Sequence, residues 1–331
     1  MKYAITGGLV ILLVLGRGVS ADELDYVWQG HMKAMINLQG YATDSIYAQL
    51  GYQQVLDVNT DTRLRFSTSG GAWQTELDYQ LISLYGDSRQ LANSVTSNTT
   101  VISSVINDEQ RLFNLTHTLS QQDDYAIVHR LDRALVSYRH DALVIKLGRQ
   151  AISWGNGLVY APMDLFNPFS PASIDKEYKT GDDMLYAQYL NDRGDDLQLV
   201  WVVRRDEQEG ISSDVTSLAL KYHVFSGDSE WDVLLAEHYQ DHIVGLGYVT
   251  NIGGAVWRSD LIYTRLDSSG INNAELDSGI WSAVTNAAYS WTMLGKNTAG
   301  LIEYHYNGFG LAAGEYNLVA LAQNQALVKR L

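Results

Sequence analysis

The feature that most constrains this chain is a hydrophobic period of two, repeated along most of its length. From Trp73 the odd positions read Trp73, Thr75, Leu77, Tyr79 and Leu81, and the positions between them read Gln74, Glu76, Asp78 and Gln80. A period of two places these sets on opposite faces of an extended strand. The pattern recurs in Leu197–Arg204, Leu218–Val224, Ala255–Thr264, Trp281–Trp291 and Leu301–Tyr306. Many of these segments run nine to twelve residues, longer than the usual strand of about 5–6 residues. Charged residues such as Lys146, Lys221, Arg258 and Glu303 recur on the polar face. A soluble β-sandwich also alternates, but with shorter strands and a dry interior.

Long alternating strands with tyrosine or tryptophan near their ends fit membrane-spanning β-strands. Tyr (21) and Trp (8) together outnumber Phe (6), the balance that a membrane–water interface favours. All three prolines fall between Pro162 and Pro171, so the rest of the chain keeps every ladder donor. The expected fold is all-β: an antiparallel up-and-down transmembrane β-barrel with roughly 13–14 strands present. Tight turns are expected at Tyr138–Ala142, Ser226–Ser229 and Asn251–Gly254. Longer loops, Gly86–Asp108 and Asp267–Gly279, are expected at the opposite end. From Glu315 to Leu331 the apolar spacing turns helical, with no closing amphipathic strand, so the chain reads as a barrel lacking its C-terminal strands.

The N-terminus reads as an export signal. Lys2 is followed by an apolar run from Ala4 to Leu15 and by small residues at Val19 and Ala21, which puts cleavage before Asp22. The run is shorter than the roughly 20 residues of a spanning helix, and no later run reaches that length. The expected organisation is therefore 1–21 signal peptide and 22–331 barrel. Loss of Lys2 and Arg17 leaves 21 basic residues against 38 acidic ones, a formal charge of −17. Such a balance argues against nucleic acid as a partner. The chain has no cysteine, so thiolate zinc and iron–sulfur sites are excluded and its stability does not come from disulfides.

One stretch breaks the alternation. GRQAISWGNGLVYAPMDLFNPFSP (Gly148–Pro171) leads through IDKEYKTGDDMLYAQY (Ile174–Tyr189) into the next strand. Glycines on both sides of Asn156 and three prolines predict an ordered, non-strand loop over 149–183. This stretch resembles a family of uncharacterised proteobacterial outer-membrane, porin-like β-barrel proteins. The resemblance runs from RLFNL (Arg111–Leu115) onward and includes SLALKYH (Ser217–His223) and EYHYNGFG (Glu303–Gly310). It implies a single, longer barrel with further strands after that last segment, and it names no solute.

The loop would fold inward, bringing Asp164, Asp175, Lys176, Lys179, Asp182 and Asp183 with it. Alternation sets Arg133, Ser137, Arg139 and Lys146 on the lumen side of the preceding hairpin. Basic residues facing an acidic loop would form a charge-separated constriction. The other reading is a plug whose charges satisfy one another. Arg149 falls on the lipid side by parity unless the chain switches faces at Gly148.

Other motifs are weaker. His238 and His242 have the i, i+4 spacing of a zinc helix, but they lie at a hairpin tip. Asp57–Asp61 begins like a calcium loop but has Thr62 and Thr68 where that loop needs glycine and a bidentate acid. His117, His129, His223 and His305 have no serine or acid tied to them by sequence logic. The sequence thus predicts an exported outer-membrane protein without cofactor or metal, in contact with membrane lipid and lipopolysaccharide, the barrel-assembly machinery and small solutes. A porin-like diffusion channel is the first functional reading, a plugged anchoring barrel the second, and a barrel enzyme the third.

Overall fold

The computed structural model describes residues 10–21, 24–43, 48, 51–90, 106–169, 177–206, 208–267 and 279–310, with 10–21 as backbone. Among the described residues the protein is all-β, with a helical turn at 87–90 and helical backbone at Ala48, and every strand pair is antiparallel. It divides into two compact units, and one long strand takes the chain from the first into the second.

The first unit contains β1 (Val10–Ala21), β2 (Leu24–Gly40), β3 (Gln54–Gly70), β4 (Trp73–Gly86), β5 (Thr116–Gln121) and most of β6 (Tyr125–His140). The strands pair in the order β1-β2-β3-β4-β6, and β5 pairs along the first part of β6. β2 and β3 are each 17 residues long and stay in register from Asp25↔Ser69 to Gly40↔Gln54. Alternation sorts the faces as expected. On β4, Trp73 and Leu77 are exposed while Asp78 and Gln80 are buried.

The second unit contains β7 (Leu143–Gln150), β8 (Asp182–Leu190), β9 (Asp196–Val202), β10 (Ser217–Ser226), β11 (Ser229–His238), β12 (Asp241–Ile252), β13 (Ala255–Arg265), β14 (Gly279–Met293) and β15 (Lys296–Asn307). Each pairs with its neighbour in sequence. The turns of β10–β11, β12–β13 and β14–β15 take two residues each, whereas 151–181, 203–216 and 266–278 are long connections at the other end. One short turn breaks that asymmetry. Tyr239 and Gln240 join β11 to β12 with φ of 50° and 72°, a conformation that costs a non-glycine residue roughly 1–2 kcal/mol. The Tyr239 ring lies 4.7 Å from the Arg204 guanidinium, and Gln240 donates to Asp214 at 2.7 Å. These contacts offset the strain.

Both units have one apolar face exposed, and their buried face carries charged and polar side chains, which in the second unit surround an apolar patch. In the second, Leu218, Leu220, Trp231, Val233, Leu235 and Leu246 are exposed while Lys221, Asp232, Asp260 and Asn286 are buried. A water-soluble sandwich does the reverse.

Among the described residues β15 pairs with β14 alone, so the sheet is not closed. The segment expected to lack a closing strand, 315–331, lies outside the described residues. Two sequence expectations need correction. The loop spans 151–181, because Arg149, Gln150, Asp182 and Asp183 belong to β7 and β8. On β6 the buried positions are even as far as Asp132 but become Leu135 and Ser137 beyond it, so simple parity does not hold through Arg133 and Arg139.

Candidate functional site

The long connection 151–181 of the second unit is entered past Gly148 near the end of β7. Gly148 has φ of +120°, a backbone state that side chains other than hydrogen rarely allow. The register with β8 continues without a slip, so Arg149 keeps its place opposite Asp183, and it is 2% exposed. There its Nε and Nη2 donate to the two carboxylate oxygens of Asp183, each at 2.9 Å. The next residue, Asp182, accepts from Arg204 at 2.6 and 3.1 Å, and Arg204 also donates to Ser217 Oγ and to the Val215 carbonyl. Both roots of the excursion are thus closed by buried, charge-assisted pairs.

Its base is apolar. Trp154, Met163 and Phe166 pack on Met184, Tyr186, Val200, Val202, Ala219, Leu234, Ile243 and Ile262, which come from strands β8 to β13. The polar atoms of this base find partners. Trp154 Nε1 donates to Gln198 at 2.7 Å, and Lys179 Nζ donates to the Ile152 carbonyl and pairs with Asp164. Burial raises the Asp164 pKa, and Lys179 acts against that rise.

The tip is held by a different device. Asp260 on β13 accepts from Asn156 N and from Asn156 Nδ2, both at 2.7 Å. Asn286 on β14 donates to the Asn156 carbonyl at 2.9 Å. Glu303 on β15 accepts three consecutive backbone donors, Leu158 N at 2.6 Å, Val159 N at 3.0 Å and Tyr160 N at 2.9 Å. A side chain at Gly247 on β12 would meet Asn156 Nδ2 at 2.9 Å. Four successive strands are therefore each fitted to one short piece of loop.

The sequence-predicted residues are only partly gathered. Arg149, Asp164, Lys179, Asp182 and Asp183 do come together, but as ion pairs within the excursion and its roots. Lys146 lies with its ammonium 5.6 Å from the Tyr186 ring. Arg139 is exposed in the β6–β7 hairpin and joins none of these pairs. Arg133 belongs to the first unit, where it donates to Asp132. Asp175 and Lys176 lie outside the described residues. The expected row of bases facing the acidic loop is thus replaced by local pairing, because buried charges take the nearest opposite charge.

The buried polar face of the first unit has its own network. Asp132 pairs with Arg63 at 2.8 Å, Arg133 at 2.8 Å and Arg130 at 3.3 Å, and Arg65 donates twice to Asp78 at 2.9 Å. Arg130 also donates to Gln80, which donates to Asp61. The supposed calcium residues Asp57 and Asp61 lie within β3.

Sequence reasoning missed Arg204, Asp260, Asn286 and the function of Glu303 as a clasp. Polar-face parity marked Asp260 and Glu303, but their partners lie 104 and 143–145 residues away. Ser217 Oγ lies 2.8 Å from His238 Nδ1 and also receives Arg204, and Ser217 is 1% exposed. His242 is exposed on the other strand of that hairpin. Among the described residues no three His, Cys, Asp or Glu side chains are grouped to hold a metal. No protein-family model matches the chain, and no curated protein matches it.

Proposed function

We propose that this chain is the precursor of an outer-membrane protein and that its sheet forms the wall of a transmembrane β-barrel. Its function is porin-like passive diffusion of small solutes past the 151–181 excursion. The observation that carries this reading is the inverted distribution of side chains. Large apolar residues cover one face of the sheet, and buried ionic pairs plus an ordered loop occupy the other. Lipid satisfies the first face and a wet, partly filled interior suits the second.

The aromatic residues support the same reading. On β13, Trp257 and Tyr263 are six residues apart, and on β14, Trp281 and Tyr289 are eight apart. These spacings correspond to about 20 and 27 Å of strand, comparable to the ~25 Å apolar band between the aromatic girdles of such barrels. Trp281 packs near Tyr263 at 4.8 Å, and Trp231 near Tyr248 at 4.4 Å, giving paired rings at both ends. In this reading Met1–Ala21 is an export signal removed before Asp22, so β1 is absent from the mature protein. The partners are then lipid, lipopolysaccharide, the barrel-assembly machinery and the diffusing solute.

A second reading is favoured by one observation. The excursion's Lys179 and Asp164 pair with each other, and the residues at its roots pair between themselves and with Arg204, as in a plug. Planar-bilayer recording of the protein purified from outer membranes separates the two. Discrete conductance steps are the expected result, and the reversal potential in a salt gradient reports the sign of charge at the narrowest point. Silence from verified, folded protein would instead make the excursion a plug and the barrel an anchor.

A further inference from the structure

Two buried side-chain atoms beside the excursion tip have no hydrogen-bond partner among the described residues, and they are of opposite kind. Arg258 Nη1 is a donor and Asn286 Oδ1 is an acceptor. The two residues are direct cross-strand neighbours on β13 and β14, which sets their Cβ atoms about 4.5–5.5 Å apart on one face. Asn286 is 2% exposed. Its amide orientation is fixed, since Nδ2 donates to the Asn156 carbonyl at 2.9 Å and to Glu303 at 3.3 Å. An orphaned buried atom of this kind is destabilising, and native structures retain few of them.

One chemical group answers both atoms at once. A hydroxyl accepts a hydrogen bond from a guanidinium and donates its own proton to an amide oxygen. We propose that Arg258 Nη1 and Asn286 Oδ1 form a subsite for a hydroxyl of a neutral polyol or sugar. This rests on the channel reading and gives it a solute class. The charges nearby select against ions. The carboxylates of Asp260 and Glu303 stand on the same face and repel an anion, and the Arg258 guanidinium repels a cation. The ring of Tyr160, 5.2 Å from that of His305, supplies an aromatic surface at the same tip for the apolar face of a sugar.

The test is equilibrium calorimetry on the folded protein in detergent, titrated with D-glucose, gluconate and glucosamine, which requires no conduction. Glucose is expected to bind better than either charged analogue. Arg258→Met should weaken glucose roughly tenfold or more, the loss of one charged hydrogen bond, and Arg258→Lys should retain most of the affinity. Both variants are first checked for folding by heat-modifiable gel mobility. Two results overturn the subsite: no glucose binding by a preparation that conducts, or equal glucose binding by wild type and Arg258→Met. Glucose binding that follows Arg258 in a preparation that never conducts would overturn the channel and leave the subsite standing.

Discussion

The Glu303 clasp gives the sharpest prediction. Leu158 N donates to Oε2, and Val159 N and Tyr160 N share Oε1. In Glu303→Gln the remaining carbonyl oxygen can keep Val159 and Tyr160, but an amide NH2 then faces the Leu158 donor. One charge-assisted bond, about 1.5–3 kcal/mol, is lost, and two others fall to the neutral range of about 0.5–1.5 kcal/mol. Leu158 is exposed and water can replace part of the lost bond, so the net cost to the closed tip is about 2 kcal/mol. At about 1.4 kcal/mol per decade, local opening becomes roughly thirtyfold more frequent. Glu303→Ala removes all three acceptor contacts to the loop, and the one to Asn286 Nδ2, and should exceed a hundredfold. Amide hydrogen exchange at Leu158–Tyr160 reads this directly, with the Trp154 amide, held by Asp164, as an internal reference at the base. Exchange within twofold of wild type in both variants would show that the clasp does not hold the tip.

Three further outcomes follow from the roots and base of the excursion. Arg149→Met leaves Asp183 buried at 2% exposure without its bidentate partner and should destabilise the protein by about 3–5 kcal/mol, whereas Arg149→Met/Asp183→Leu should recover most of that; urea unfolding followed by tryptophan fluorescence measures both. Gly148→Ala forces a side chain onto a φ of +120° and should cost about 1–3 kcal/mol in the same assay. Burial holds the Asp164 pKa above its ordinary 3.8, so the folded state binds the proton more tightly than the unfolded chain. The stability contributed by that proton is fully present below pH 3.8 and is lost as pH rises through the raised value. The stability of wild type relative to Asp164→Asn should therefore increase as pH falls through the carboxylate range. A relative decrease would reverse the sign of the argument.

Strand alternation and the hairpin turns were legible in the sequence because the side-chain period of two survives wherever one face meets an apolar environment. The excursion was legible from its glycines and prolines. Parity failed between Asp132 and Leu135, where β6 changes its buried set with no glycine or proline to mark the change. The clasp was not legible, because Glu303 and Asp260 accept backbone donors on a distant loop and a backbone donor leaves no residue-type signature. The pairing of Arg65 with Asp78 and of Arg63 with Asp132 was hidden for a different reason. Alternation assigns these residues to a face but does not say which neighbour each will choose.

The central claim is that the exposed apolar face meets lipid, and the absence of any native cysteine makes it directly measurable. Single cysteines at Leu218, Leu235 and Leu246 on that face, and at Asp228 in a short turn, would be labelled in intact membranes with a water-soluble and with a lipid-dissolved maleimide. The account predicts that the three face positions react with the lipid-dissolved reagent and resist the water-soluble one, while Asp228→Cys reacts with the water-soluble reagent. Equal labelling of all four positions from water would contradict it.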